Sequence, residues 1–194
     1  MKTDEILLIE KAQNGDQESL ASLIKQYSPR IYNLGLRMMR NEKDAEDILQ
    51  ETFLILIKKI HTFQGRSTLY TWLYRIATNL ALEKLKDKHR THVTASIDDL
   101  GYENFQEYHP IALPDFTDDK LSDSQFRRYL NKAMIELNEK LKAVFVLRDI
   151  EGQSVAETAK ILSITESNVK IRLMRARLFL RDKLSHTFSK EGWL

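Results

Sequence analysis

Apolar residues in this chain recur at intervals of three and four, the spacing that lines one face of a helix, and no run of strict alternation argues for a sheet. Asp4 is placed to cap a first helix carrying Ile6 and Ile9, which ends near Asn14-Gly15. Asp16 opens a second, with Leu20, Leu23, Ile24 and Tyr27 inward, stopped at Ser28-Pro29. Pro29 suits the first turn of a third helix bearing Ile31, Leu34 and Met38. A fourth runs from about Glu42 to Ile60 and turns Ala45, Ile48, Leu49, Phe53, Leu56 and Ile60 inward. After a short loop, Thr62 to Ser67, a fifth begins at Ser67 or Thr68 and buries Leu69, Trp72, Leu73, Ile76 and Leu80.

The pattern then lapses. Thr91 to Ser124 shows no helical period and holds Gly101, Pro110 and Pro114, with Tyr102, Phe105, Tyr108 and Phe116 scattered among acids, so it reads as a linker. Those aromatics leave a transient docking role open. Periodicity returns near Gln125: Phe126, Tyr129, Leu130, Ala133, Met134 and Leu137 mark one helix, and Leu141, Val144, Phe145 and Leu147 the next, ended by Gly152. Ser154-Val155-Ala156-Glu157 reads as a capping box opening a short helix that ends at Leu162-Ser163-Ile164. Thr165 caps a last helix running to about Leu184. The fold class expected is all-α: two small helical domains, residues 1–90 and 125–194, joined by an acidic linker, 91–124.

Composition narrows the chemistry. The 194 residues include no cysteine, which excludes disulfides, thiolate metal sites and a cysteine nucleophile. The longest apolar runs, Phe53 to Ile57 and Ala143 to Leu147, are far short of the roughly 20 residues that span a bilayer. Acids at Asp4 and Glu5 disfavour a signal peptide, so a cytoplasmic protein that is not membrane-embedded is expected. The formal net charge of +2 conceals an uneven distribution: the linker carries −7, and Lys170 to Lys183 carries +5. A basic run of that density on a helix is an electrostatic footprint for phosphate.

The last helix sharpens this. Val169, Leu173, Ala176 and Leu180 form one apolar stripe, leaving Ser167, Lys170, Ile171, Met174 and Arg175 on the opposite surface. Apolar Ile171 and Met174 between Lys170 and Arg175 suit a major groove, where cations donate to guanine and apolar groups meet thymine methyls. Arg172, Arg177 and Arg181 lie toward the flanks or far end, where phosphate contact is expected. A short helix, a tight turn and a basic helix outline a helix-turn-helix.

Two motif sets resemble a known family. Leu147-Arg148-Asp149-Ile150-Glu151-Gly152-Gln153-Ser154, Ala159-Lys160-Ile161-Leu162 and Asn168 to Arg177 resemble the region-4 domain of extracytoplasmic-function (ECF) sigma factors. Asp44 to Phe53 resembles the core-polymerase-binding part of region 2. Phe63-Gln64-Gly65, with Thr71 to Asn79, resembles the part that opens and reads the minus-ten promoter element. The resemblance spans nearly the whole chain except the linker, and it departs in places. Leu137-Asn138 stands where Leu-Pro is usual, Ser167-Asn168 where Gly-Thr is usual, Glu83 where Asp is frequent, and Lys86-Asp87 where paired arginines are frequent.

The resemblance implies a region-2 helical bundle and a region-4 helix-turn-helix that bind the clamp and flap of core RNA polymerase and direct it to promoter DNA. It assigns Asp47, Gln50 and Glu51, which share a helix face, to the clamp. Phe63, Gly65, Arg66, Ser67 and Asn79 are assigned to an extruded minus-ten base, and Arg75, Lys84 and Lys86 to phosphates beside it. Trp72 lies on the apolar stripe, which favours core packing over base stacking. Ser167, Lys170, Ile171, Arg172, Met174, Arg175 and Arg177 are assigned to the minus-thirty-five element. An anti-sigma partner and a route for the linker toward the active-site and RNA-exit channels are also implied.

Two rival readings compete with this one. Gly152-Gln153-Ser154-Val155-Ala156 superficially resembles a nucleophile elbow, but no strand precedes it. The five histidines show no His-Glu-x-x-His spacing and there is no glycine-rich phosphate loop, so no catalysis, cofactor or metal is expected. A stand-alone helix-turn-helix regulator would leave the N-terminal half, with its face at Asp47, unassigned.

Overall fold

The computed structural model describes residues 2–91 and 123–190, and every element among them is helical. The predicted linker lies outside the described residues except at its two ends, which close one helix and open the next. The chain divides into two compact bodies, one built mainly from residues up to Leu85 and the other mainly from those after it.

The N-terminal body comprises α1 (Lys2–Gln13), α2 (Gln17–Met39), α3 (Glu42–Lys59), a 3-10 turn (Ile60–Thr62) and the start of α4 (Leu69–Thr91). Helix α1 begins two residues before Asp4, so that acid sits in the first turn instead of capping it. Asp16 does cap α2, its carboxylate accepting from Ser19 N at 2.9 Å. Pro29 neither stops that helix nor starts another: the expected second and third helices are one 23-residue helix. The apolar stripe keeps phase across the proline, with Leu20, Leu23, Tyr27, Ile31, Leu34 and Met38 all buried, while Pro29 itself is exposed. Packing along that stripe outweighs the hydrogen bond that proline cannot make. The Tyr27 hydroxyl donates to the Glu5 carboxylate, tying α1 to α2, and burial together with that bond raises the phenol pKa well above its ordinary value.

Helix α4 departs from expectation in phase. Leu69 and Leu73 are buried, but Trp72, Ile76 and Leu80 are only half-buried, and Tyr74, Ala77, Ala81 and Leu85 take the innermost positions. Tyr74 stacks on Tyr70 at 4.0 Å between ring centroids, so the helix buries a face turned away from Trp72.

The C-terminal body contains α5 (Asp123–Glu136), α6 (Glu139–Phe145), a π-helical turn (Val146–Ile150), α7 (Val155–Leu162) and α8 (Glu166–Lys190). Asn138 caps α6 by accepting from Lys140 N at 2.9 Å. The π turn went unpredicted, because periodicity over five residues does not separate it from α-helix. Ser154 accepts from Glu157 N at 3.1 Å, supplying its half of the capping box, and Thr165 accepts from Asn168 N at 3.2 Å. Helix α8 runs six residues past Leu184. Leu184 and Phe188 are buried with Tyr129 of α5, the Phe188 and Tyr129 rings meeting edge-to-face at 5.6 Å.

Candidate nucleic-acid and polymerase interfaces

In α8 the buried stripe is Val169, Leu173, Ala176 and Leu180, as the spacing predicts. On the opposite surface Ser167 and Lys170 are exposed and Ile171 is 47% exposed, a large apolar side chain in water between two basic neighbours. Met174 is half-buried, and with Ile171, Val155, Leu173, Lys170 and Arg148 it lines a hollow of about 510 Å³ beside the helix. Arg172 and Arg175 are half-buried, and Nε of Arg175 has no acceptor among the described residues.

Arg177 is held differently. Its Nε and Nη2 donate to the two oxygens of Asp149, at 2.8 and 2.7 Å, in a bidentate pair that ties α8 to the π turn. Arg148 in the same turn donates to the Gln153 carbonyl, and Gly152 between them adopts φ +69°, which a side chain would strain. The turn leading into the helix-turn-helix is thereby fixed from both sides.

The second cluster spans α4 and the loop before it. Thr68 caps α4, accepting from Thr71 N at 3.1 Å. Phe63 is half-buried with its ring 5.6 Å from that of Trp72, so Trp72 belongs to the wall of the loop rather than to the deep core. Gly65 adopts φ +67°, and Gly65 and Arg66 are exposed while Ser67 is half-buried. Arg75, Asn79 and Lys86 fall at i, i+4 and i+11 and are all exposed, so they share one face of α4. Lys84 does not join them: it lies on the other side of the helix, and its Nζ donates to Asp47 of α3 at 2.8 Å. That bond lowers the Asp47 pKa and raises that of Lys84.

Asp47 thus belongs to a third cluster, the exposed face of α3. Asp47, Gln50 and Glu51 line a shallow depression with Leu54, Ile55, Lys58 and Lys84. Leu54 is 53% and Ile57 47% exposed, an apolar continuation of the polar trio that sequence reasoning missed. The signal was present: Leu54 stands seven residues after Asp47, on the same face, in an apolar run that the buried stripe alone does not account for.

Two family models match in chain order, Sigma-70 region 2 over residues 23–91 and Sigma-70, region 4 over residues 127–180. The ECF RNA polymerase sigma factor SigW of Bacillus subtilis is 33% identical over 178 residues, covering 91% of this chain and 94% of that one. The chain belongs to the ECF RNA polymerase sigma factors. Among solved structures, CnrH in complex with the cytosolic domain of CnrY covers 93% of this chain at a TM-score of 0.64 and 21% identity. The sigma factor RpoE of Bartonella quintana, in complex with the anti-sigma factor NepR, covers 85% at a TM-score of 0.60 and 22% identity. Each match takes in 96% of the solved chain, and both structures share their fold with this ECF sigma factor. As a sigma factor, it acts with RNA polymerase on promoter DNA to direct promoter-specific transcription initiation. No helix among the described residues is long and apolar enough to cross a membrane, and no cluster of three or more potential metal ligands occurs among them.

Proposed function

We propose a division of labour within this sigma factor. Residues 1–90 bind the polymerase clamp and melt the minus-ten element, residues 125–194 bind the flap and read the minus-thirty-five element as duplex, and the acidic linker, 91–124, joins them. The observation that carries this reading is the outer surface of α8, where Ile171 stands 47% exposed beside Lys170, opposite a fully packed stripe. Leaving such a residue in water is unfavourable, and a major groove offers it a thymine methyl while the cations meet guanine or phosphate. Ser167, Lys170, Ile171, Met174 and Arg175 read bases, and Arg172 tracks phosphate. Arg177 joins the phosphate contacts from its seat on Asp149.

In the N-terminal domain, Asp47, Gln50 and Glu51, continued by Leu54 and Ile57, meet the clamp. Phe63, Gly65, Arg66, Ser67 and Asn79 hold an extruded minus-ten base, and Arg75 and Lys86 follow the backbone beside it. Lys84 reaches phosphate only by leaving Asp47. The protein carries out no catalysis of its own, works in the cytoplasm and is held inactive by an anti-sigma factor; RpoE, which shares its fold, is in complex with one, NepR.

Run-off transcription tests the assignment. Added to bacterial core polymerase, the chain is expected to start transcripts at a defined set of promoters, with thymines around minus ten becoming reactive to permanganate. Initiation without opening at minus ten would refute the role given to residues 63–79.

A further inference from the structure

Helix α1 ends at Gln13, far in sequence from any position assigned to DNA. Its half-buried side chain nevertheless reaches the minus-ten loop: Nε2 donates to the Ile60 carbonyl at 3.1 Å and to the Phe63 carbonyl at 2.7 Å. A side-chain amide has two N–H donors, and both are used on one short stretch. The two acceptors bracket the 3-10 turn, which is itself closed by Phe63 N donating to Ile60 O at 3.0 Å. Gln13 therefore fixes the point at which the chain leaves α3 and enters the loop.

From there the loop is tied at both ends. Phe63 rests against Trp72, and Thr68 caps α4, while Gln64, Gly65 and Arg66 between them are exposed. A loop held open in one shape does not have to be ordered when a base arrives, and misplacing it weakens the discrimination between bases.

We infer that Gln13 is a positioning residue for minus-ten recognition: through the Ile60 and Phe63 carbonyls it sets the loop that selects the extruded base. This rests on the reading above that residues 63–67 receive that base.

The test uses holoenzyme reconstituted from core polymerase and the full chain. Its probes are a fluorescent single strand carrying the minus-ten sequence of a promoter it transcribes, and copies with one base replaced. Gln13→Leu, which removes both donors at similar size, is expected to lower the preference for the correct base about tenfold. Holoenzyme assembly and binding to upstream duplex should not change. Gln13→Lys, which restores N–H donors, should recover most of the preference. If the leucine variant does not fold, Gln13→Glu, isosteric but without the donor, makes the same comparison.

Phe63→Ala separates the two readings. If it loses base preference while Gln13→Leu keeps it, the role of Gln13 is overturned and the loop assignment stands. If neither loses preference, the loop assignment itself fails. If the lysine variant discriminates as poorly as the leucine one, hydrogen-bond donation to the loop is not what Gln13 contributes.

Discussion

Asp47 and Lys84 stand 37 residues apart in the chain and 2.8 Å apart in space. Each is assigned a different macromolecule, yet here they neutralise one another. The Lys84 bond holds the Asp47 carboxyl below the usual carboxylate range. Its folded pKa is therefore lower than its unfolded one, so whatever the pair contributes is present at neutral pH and lost as pH falls through that lowered value. Lys84→Met is expected to raise the Asp47 titration toward the ordinary carboxylate range, read by carboxyl-carbon NMR, and an unmoved midpoint would show that the pair does not form in solution. At α8, Arg175→Ala should cost discrimination at one base pair of the upstream element, by about 1–3 kcal/mol. A loss equal across all upstream sequences would make Arg175 a phosphate contact instead. The face shared by Asp47, Gln50 and Glu51 and the outward surface of α8 were legible from spacing on single helices. The Asp149–Arg177 and Asp47–Lys84 pairs were not, because each joins residues from different helices and no local pattern records which cation an acid will meet.

At the scale of elements, α2 and α3 cross where Gly35 meets Ala45. A Cβ placed on Gly35 would stand 3.2 Å from Ala45 Cα and 3.3 Å from its carbonyl oxygen, both backbone atoms. Overpacking of this kind costs about 1–3 kcal/mol, while alanine gains only ~1 kcal/mol over glycine within a helix. Gly35→Ala is thus expected to destabilise by about 1 kcal/mol, measured as a lower urea midpoint at unchanged slope. The same crossing explains why Pro29 was misread. Local propensity places a boundary at Ser28-Pro29, but the stripe from Leu20 to Met38 packs as one surface, and tertiary burial overrides the local signal. The caps at Asp16, Ser154 and Thr165 were legible because they depend on contacts only three residues away. The true end of α8 was not, since it is set by Phe188 packing on Tyr129, 59 residues earlier in sequence.

For the whole molecule, clamp binding and promoter reading are proposed for different sets of residues, and they should fail separately. Reversing Asp47 and Glu51 to lysine is expected to weaken holoenzyme assembly at least tenfold while leaving the upstream-duplex affinity of the free chain unchanged or raised, since two acids are removed from a protein that binds phosphate. Assembly at the normal affinity would take the α3 face out of the interface. The two-domain, all-helical plan was readable from periodicity together with the charge map, because the −7 segment interrupts both at once.

Helix α8 is a single rod of 25 residues, roughly 37 Å long, whose outer half carries Ile171 and whose other half is clasped by Tyr129 through Phe188. Seventeen residues, about 25 Å, separate those two points, so a tilt of ~5° at the clasp swings Ile171 by roughly 2 Å. That lever connects the clasp to the reading surface proposed at Ile171. Trimming or tagging the chain near Phe188 should therefore blunt promoter choice as effectively as altering the reading surface itself.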